Sequence, residues 1–561
     1  MALSALLAPL HSMTLSICTA QLNFVVGDLP GNVQKIIAAA REAYATGARL
    51  LLTPELALCG YAAEDLYLRP AFLDACDQAV QQLALETAQW PGLALVLGHP
   101  WRDPGAGGAL RNAASVLRDG RVECSHAKQC LPNYGVFDEQ RYFVAGQSPC
   151  VIEVQGVRVG LLICEDAWHP EPARAAAQAG AQLLAVINAS PFHEGKQAER
   201  EATLAARACE TGLPLVYAHL VGGQDEIVFD GCSFAVQADG SIAARAPAFA
   251  EALPRVEVRT GGHALVLAGE VIAQPGHLPA LWSALVLAVR DYVGKNRFPG
   301  ALLGLSGGID SALVLAIAVD ALGADKVHTV MMPSPYTADI SWIDARDMAE
   351  RVGVRYDEIS IAPQFEAFKA ALAPAFASRA EDTTEENLQA RIRGTLLMGL
   401  SNKFGSVVLT TGNKSEMSTG YCTLYGDMAG GFAVIKDVLK TEVFALARWR
   451  NANDPFGTGL DPIPDRIITR PPSAELRPDQ KDQDSLPAYE VLDAIVRRYM
   501  ENNESIASIV ADGYASADVE RVTRLIQINE YKRRQAPVGP RLTRRSFGKD
   551  WRYPITNRFR A

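Results

Sequence analysis

Leu161 to Trp168 reads L-L-I-C-E-D-A-W and closes an apolar run that begins at Val157. A short apolar run of this kind is the signature of a strand buried on both faces, as in layered α/β proteins. Cys164 stands where that strand ends. The same grammar extends outward in both directions. Upstream, Val33, Ile36, Ile37, Ala40 and Tyr44 recur at helical spacing after Gly31-Asn32, and a strand predicted over Arg49 to Thr53 ends at Pro54-Glu55. The alternation from Thr14 to Val26 predicts a first strand, with further short strands at Val96 to Gly98, Ala113 to Leu117 and Val151 to Val154. Downstream come a helix around Glu171 to Ala179 and a strand from Leu183 to Ile187 that ends at Asn188. Polar residues thus stand repeatedly at the ends of buried strands, where layered α/β proteins assemble their sites.

The pattern loosens at Thr260-Gly261-Gly262-His263 and again at Gln274-Pro275-Gly276, which places a boundary near 270. Beyond it, helix Leu278 to Lys295, strand Ala301 to Leu305, helix Asp310 to Leu322 and strand Lys326 to Met332 follow in turn. Helices Ser341 to Arg351 and Leu388 to Asn402 and strand Ser406 to Thr410 complete a doubly wound pattern. The expected domains are 13–265 and 270–561, after a dispensable extension over 1–12. Pro462 to Pro487, rich in Pro and Asp, reads as a mobile surface loop.

The chain has 561 residues, 49% hydrophobic and 21% charged, the balance of a folded globular enzyme. No apolar run reaches about 18 residues, so no spanning helix is expected. The net charge of −10 disfavours nucleic acid as the main partner. The basic tail from Lys532 is interleaved with Phe547, Trp551, Tyr553 and Phe559, which suggests an ordered segment. Ten cysteines without a C-x-x-C pair fit reduced thiols in a cytoplasm better than a disulfide scaffold or a zinc ribbon.

Three segments put one reactive side chain each just after a strand: T-P-E-L at Thr53 to Leu56, A-K-Q-C-L-P-N-Y-G-V-F-D-E at Ala127 to Glu139, and the opening stretch itself. A thiolate is a strong nucleophile and a neighbouring carboxylate can take its proton. An ammonium can hold a developing oxyanion together with a backbone N–H. Glu55, Lys128 and Cys164 supply these functions without a histidine. Singly, they also read as a helix-start carboxylate, a surface charge and a core thiol. Together they resemble the nitrilase, or carbon–nitrogen hydrolase, superfamily, in its glutamine-amidase branch. The resemblance implies a four-layer α-β-β-α sandwich, Glu55 as general base, Lys128 as oxyanion holder, Cys164 as nucleophile and Glu139 as a second carboxylate orienting the lysine. It also implies glutamine contacts at Tyr134, Ser190 and Lys196.

Gly304 to Ser311 reads G-L-S-G-G-I-D-S between a buried strand and a helix. Glycines let the backbone approach phosphate, and the helix N-terminus presents N–H groups with a favourable dipole. The spacing is neither a Walker A loop nor G-x-G-x-x-G. The octet resembles the loop of the ATP pyrophosphatases, a Rossmann-like doubly wound group. Thr410 to Asp427, Met332 to Thr337 and Arg470 to Asp482 resemble the NAD synthetase signature within it. By that likeness Gly304, Leu305, Ser306, Gly307, Gly308, Ile309, Asp310 and Ser311, with Thr411 and Lys440, bind ATP. Asp310 and Glu416 hold Mg²⁺, and Asn387, Glu416 and Lys532 meet the dinucleotide substrate. Leu424 stands where single-domain relatives often carry a lysine.

Both halves together resemble the glutamine-dependent NAD⁺ synthetases. The resemblance implies ATP-dependent adenylation of deamido-NAD⁺, then amidation with ammonia released from L-glutamine, in a homo-oligomer of the cytoplasm. Another amidotransferase that activates a different acid, and a non-catalytic glutamine or nucleotide sensor, remain as alternatives.

Overall fold

Among the described residues, fifteen strands build the first half. They are β1 (Thr14–Thr19), β2 (Leu50–Leu52), β3 (Ala94–Asp103), β4 (Ala109–Arg118), β5 (Arg121–Ala127), β6 (Cys150–Val154), β7 (Val157–Ile163), β8 (Leu183–Asn188), β9 (Leu215–His219), β10 (Val221–Gln224), β11 (Ile227–Asp230), β12 (Phe234–Val236), β13 (Ile242–Arg245), β14 (Arg255–Gly261) and β15 (Ala264–Ala268). The computed structural model describes residues 14–261, 264–471, 475–477 and 486–559, so the expected extension at 1–12 lies outside the described residues. By contact the chain divides into two units. The first is Met1–Gln224 with Phe229–Pro275, and the second is Asp225–Val228 with Gly276–Ala561.

The first unit has one sheet in the order β15-β14-β1-β2-β3-β4-β5 and another in the order β13-β12-β9-β8-β7-β6. Leu15, Ile17, Leu50, Leu52, Val96 and Val116 of the first sheet share one core with Val159, Leu161, Ile163, Leu183, Ala185 and Ile187 of the second. The intervening residues Leu162, Leu184 and Val186 point the other way. They pack on Ala173 and Ala176 of α3 (Pro170–Gln178) and on Leu204 and Ala208 of α4 (Lys196–Thr211). Strands buried on both faces have no polar alternation, which is why β7 and β8 read as apolar runs. With α2 (Pro70–Glu86) against the first sheet and α1 (Leu29–Ala45) packed on α2, the layers are α-β-β-α.

Parallel register aligns the site. Ile163 of β7 pairs with Ile187 of β8, so Cys164 follows β7 beside Asn188, the last residue of β8. Ala113 of β4 pairs with Ala127 of β5, and the Lys128 amide donates to the Asn112 carbonyl at 2.8 Å. The first strand is shorter than its alternation predicts. After Thr19 the Gln21 side chain donates to the Pro247 and Ala250 carbonyls, both at 2.8 Å, and draws the chain off the sheet.

The second unit is built on five parallel strands in the order β18-β17-β16-β19-β20: β16 (Ala301–Gly304), β17 (Val327–Met331), β18 (Arg355–Glu358), β19 (Val407–Thr410) and β20 (Phe432–Ala433). Helices α5 (His277–Lys295), α6 (Ile309–Leu322), α7 (Asp339–Val352), α8 (Ala362–Phe376), α9 (Thr383–Phe404), α10 (Lys414–Thr419) and α11 (Lys440–Ala452) connect and cover them. From β16 the chain winds outward through β17 and β18, then returns to β19 on the other side. That reversal leaves a crevice at the carboxyl ends of β16 and β19. Helix α6 is buried from Ser311 to Asp320, as its uninterrupted apolar sequence requires.

The loop expected over Pro462 to Pro487 is in part a packed element. α12 (Asp465–Thr469) buries Ile467 and Ile468, and Ile463 is fully buried before it. The apolar spacing of three isoleucines outweighs the surrounding prolines and aspartates there, while 472–474 and 478–485 lie outside the described residues. The basic tail is ordered through its described residues, up to 559. Phe547 and Trp551 enter a core with Leu492, Ile495 and Val522, Trp551 Nε1 donates to Glu530 at 3.0 Å, and Arg541 pairs with Asp550 at 2.8 Å.

Two candidate active sites

In the first unit a lysine and two carboxylates are buried together. Lys128 Nζ donates to Glu55 Oε1 at 2.6 Å and to Glu139 Oε1 at 2.8 Å, and neither Lys128 nor Glu55 is exposed at all. Charged groups almost never reach this depth unpaired. Asn112 Nδ2 donates to Glu55 Oε1 at 2.7 Å and to Glu139 Oε2 at 3.4 Å. The Ala189 amide donates to Glu55 Oε2 at 3.1 Å, and Tyr61 donates its hydroxyl proton to Glu139 at 3.1 Å. Burial pushes Glu139 up to about 7 against the pull of Lys128. Burial also opposes the lysine charge, but Glu139 and Glu55 outweigh it and hold Lys128 firmly protonated.

Cys164 is buried and has a φ of 47°, in the left-handed region, at the head of a short 3₁₀ turn through Ala167. A non-glycine residue held there stores strain, a common mark of a reactive elbow. Burial raises its thiol well above the ordinary range, and the Glu55 charge adds to the effect. The resting sulfur is therefore protonated and needs a base to become a nucleophile. Asp166 fixes the elbow to the lysine. One of its oxygens accepts from the Gln129 and Cys130 amides at 2.9 and 2.7 Å, the other from the Ile163 amide at 3.1 Å.

The residues expected around glutamine gather nearby. Tyr134 and Lys196 both lie within electrostatic reach of Cys164. Tyr134 donates to Glu165 at 3.0 Å, Lys196 pairs with Glu199 at 3.1 Å and stacks 4.0 Å over Trp168, and Ser190 is buried just after β8. The sequence reading missed Asn112, Tyr61 and Asp166. Asp166 lies inside the quoted motif. Asn112 meets Lys128 only through strand register, which no local spacing announces.

In the second unit a cavity of about 300 Å³ opens at the switch between β16 and β19. Its walls include Gly304, Leu305, Ser306, Gly308, Ile309, Asp310, Ser311, Thr411, Glu416 and Lys440. Ser311 Oγ accepts from the Ser306 amide at 3.2 Å and donates to the Gly308 carbonyl at 3.0 Å, curling the loop over the N-terminus of α6. Gly307 faces away from the cavity, with φ +77°, and a Cβ there would sit 2.2 Å from the Ser341 carbonyl oxygen.

Asp310 and Glu416 converge on one cation. Lys440 Nζ lies 2.5 Å from Asp310 Oδ2 and 3.5 Å from Glu416 Oε1. Asn413 donates to Asp310 Oδ1 at 2.9 Å while its own side chain caps α10 by accepting from the Glu416 amide at 3.0 Å. Two hard oxygen donors aimed at a common positive centre beside a glycine-rich loop fit the ligand preference of Mg²⁺.

Asn387 and Lys532 do not line this cavity. They hold the loop after α10: Thr423 donates to Asn387 Oδ1 at 2.8 Å, and Lys532 Nζ donates to the Gly420 and Cys422 carbonyls, each at 2.7 Å. Leu424 packs on the C-terminal core, and Arg391 Nε donates to its carbonyl at 3.3 Å. Two cavity cations escaped the sequence reading. Arg393 donates to the Met332 carbonyl at 3.0 Å and is lowered by burial to about 10, and Arg470 reaches the Gly307 carbonyl at 3.4 Å.

Comparison with known proteins agrees with both halves. The carbon–nitrogen hydrolase family matches residues 16–261, and the NAD synthase family matches residues 281–536. A glutamine-dependent NAD(+) synthetase of Xanthomonas campestris pv. campestris (strain 8004) is 50% identical over 550 residues, covering 97% of this chain and 98% of that protein. One of Rhodobacter capsulatus is 48% identical over 551 residues, covering 97% and 98%. The solved structure of a glutamine-dependent NAD+ synthetase from Acinetobacter baumannii in complex with adenosine diphosphate superposes with a TM-score of 0.77 at 45% identity, covering 97% of this chain and 99% of that one. Likeness of this degree along the whole length, over a buried Glu-Lys-Cys set and a glycine-rich strand-to-helix loop, makes the chain a member of the glutamine-dependent NAD(+) synthetase family.

Proposed function

We propose that the NAD⁺ synthesis characteristic of the family runs here through two residue sets, an amidase domain over 13–265 and a synthetase domain over 270–561. In the amidase, Glu55 takes the Cys164 proton as the sulfur attacks the side-chain carbonyl carbon of L-glutamine. The Lys128 ammonium and a backbone N–H at the elbow hold the oxyanion, Glu139 keeps the lysine charged and oriented, and Tyr134, Ser190 and Lys196 hold the substrate. Glu55 returns the proton to the leaving nitrogen, ammonia departs, and water cleaves the thioester to glutamate.

In the synthetase, the carboxylate of deamido-NAD⁺ attacks the α-phosphorus of ATP and pyrophosphate leaves. The Gly304–Ser311 loop, Thr411 and Lys440 bind ATP, while Asn387, Glu416 and Lys532 serve the dinucleotide. A magnesium ion held by Asp310 and Glu416 would neutralise charge on the phosphates. Ammonia then attacks the acyl adenylate, giving NAD⁺ and AMP. Free ammonia is mostly protonated at neutral pH, which is the chemical reason for an amidase on the same chain. The reading includes a homo-oligomer of the cytoplasm, supported by the family and by ten cysteines that are all free thiols.

The observation that supports this most is the Glu55–Lys128–Glu139 cluster beside the strained Cys164, on the same chain as a phosphate loop with convergent carboxylates. A product assay tests it. Glutamine, ATP and deamido-NAD⁺ should give NAD⁺, AMP, pyrophosphate and glutamate in equal amounts. Pyrophosphate release with another acid but not with deamido-NAD⁺ would move the chain to a different amidotransferase activity.

A further inference from the structure

Arg200 of α4 is fully buried, and no step above uses it. One arm of its guanidinium donates to both Asp230 oxygens, each at 2.8 Å, and to Gln197 Oε1 at 3.1 Å. The other arm donates to the Ser190 carbonyl at 2.8 Å and to the Pro191 carbonyl at 3.4 Å. Asp230 closes β11, and His219 Nε2 lies 3.5 Å from it. Burial raises and Arg200 lowers the Asp230 carboxyl, and the net result holds it well below the usual carboxylate range.

A buried ion pair gives little stability compared with apolar residues of the same volume. Two of the five hydrogen bonds that Arg200 donates go to the carbonyls of residues 190 and 191, a stretch without regular secondary structure. That stretch leaves β8 directly beside the amidase set. Ser190 is the expected glutamine contact, and the preceding Ala189 amide donates to Glu55 Oε2 at 3.1 Å. A planar fork with two parallel pairs of donors suits this task, and a lysine cannot replace it.

We infer that Arg200, anchored on Asp230, is a positioning residue of the amidase: it holds the Ala189–Pro191 segment so that Ser190 meets glutamine and the Ala189 amide meets Glu55. The inference rests on the reading of Glu55, Cys164 and Ser190 given above. Arg200 touches no reacting atom. Its effect passes through the backbone, so it bears on glutamine and leaves the use of ammonium untouched.

The test compares Arg200→Lys, the double variant Arg200→Met with Asp230→Leu, and Glu55→Gln in the full-length protein, with NAD⁺ formation followed separately from glutamine and from ammonium chloride. Arg200→Lys keeps a charge beside Asp230 but loses the arm to Ser190. The double variant loses the arm and leaves no charge unpaired, so it guards against a fold that fails for want of a partner. Both should raise the glutamine KM by about tenfold, the scale of one lost charge-assisted hydrogen bond, with a smaller fall in kcat. The ammonium-supported rate should stay at the wild-type level. A wild-type glutamine KM in both variants overturns the inference, whatever happens to thermal stability. Glu55→Gln separates the two claims. If it too retains glutamine-supported synthesis, the amidase reading fails. If it abolishes that synthesis while the Arg200 variants keep the wild-type KM, only the positioning role fails.

Discussion

Asp166 shows how one side chain ties two parts of the amidase together. Three backbone N–H donors favour its anion and burial disfavours it; burial prevails and pushes it up to about 6 from an ordinary 3.8. Because the folded value is raised, the stability linked to this proton is fully present below about pH 4 and is lost as pH rises through 6. Asp166→Asn does not titrate. The stability advantage of wild type over this variant, from chemical denaturation, should therefore narrow between pH 4 and pH 7, by at most about 3 kcal/mol. A gap that widens over that interval would show that the three amides prevail over burial. Asp166→Asn also sets an amide NH₂ against a backbone N–H, so the Lys128 and Cys164 strands should part slightly and the glutamine-supported rate should fall. At this scale the sequence was legible where chemistry and position coincide. Glu55, Lys128 and Cys164 each follow a strand, and reactive groups at strand ends announce themselves. Arg200, Arg393 and Asn112 did not, because a charged or amide residue inside a helix or a strand reads as solvated until register and packing bury it.

The loop between β16 and α6 depends on glycines for two different reasons. Gly307 has a positive φ and lies so close to the Ser341 carbonyl that a Cβ would overlap it, whereas a Cβ on Gly308 would meet only Ser306 Oγ, at 3.3 Å. Gly307→Ala should therefore destabilise the second unit by more than about 1 kcal/mol, by strain alone before any overlap is counted. Gly308→Ala should leave the thermal midpoint near wild type and raise the KM for ATP, since in the proposed ATP site the added methyl stands where the backbone would meet phosphate. Equal thermal loss in both variants would contradict this division. At this scale β7, β8, α5 and α6 were legible nearly to the residue, because largely buried strands and helices carry long apolar stretches such as residues 159–163, 183–187, 284–289 and 312–319. The ends of β1 and the helix α12 were not. Gln21 ends the strand through side-chain bonds to carbonyls more than two hundred residues away, and Ile463, Ile467 and Ile468 gain their partners only in the folded unit.

Two activities on one chain make sense only if the nitrogen released by one is used by the other. The family and the composition of each half were legible from motifs at the ends of strands, whereas the passage of ammonia leaves no local pattern. If ammonia moves without release to solvent, an added ammonia-consuming enzyme should suppress synthesis from ammonium salts and barely affect synthesis from glutamine. Equal suppression would mean release. Asp310→Asn, which removes the proposed anionic ligand of Mg²⁺ and a partner of Lys440, should cut adenylation by orders of magnitude with either nitrogen donor, and unchanged pyrophosphate release at saturating Mg²⁺ would place the metal elsewhere. The central claim is that Cys164 liberates the ammonia that the second unit consumes, and Cys164→Ala tests it most directly. The substitution keeps a Cβ at the strained elbow and removes only the sulfur. NAD⁺ formation from ATP and deamido-NAD⁺ should persist with ammonium chloride at the wild-type rate and vanish with glutamine. Continued synthesis from glutamine at a comparable rate would contradict the account.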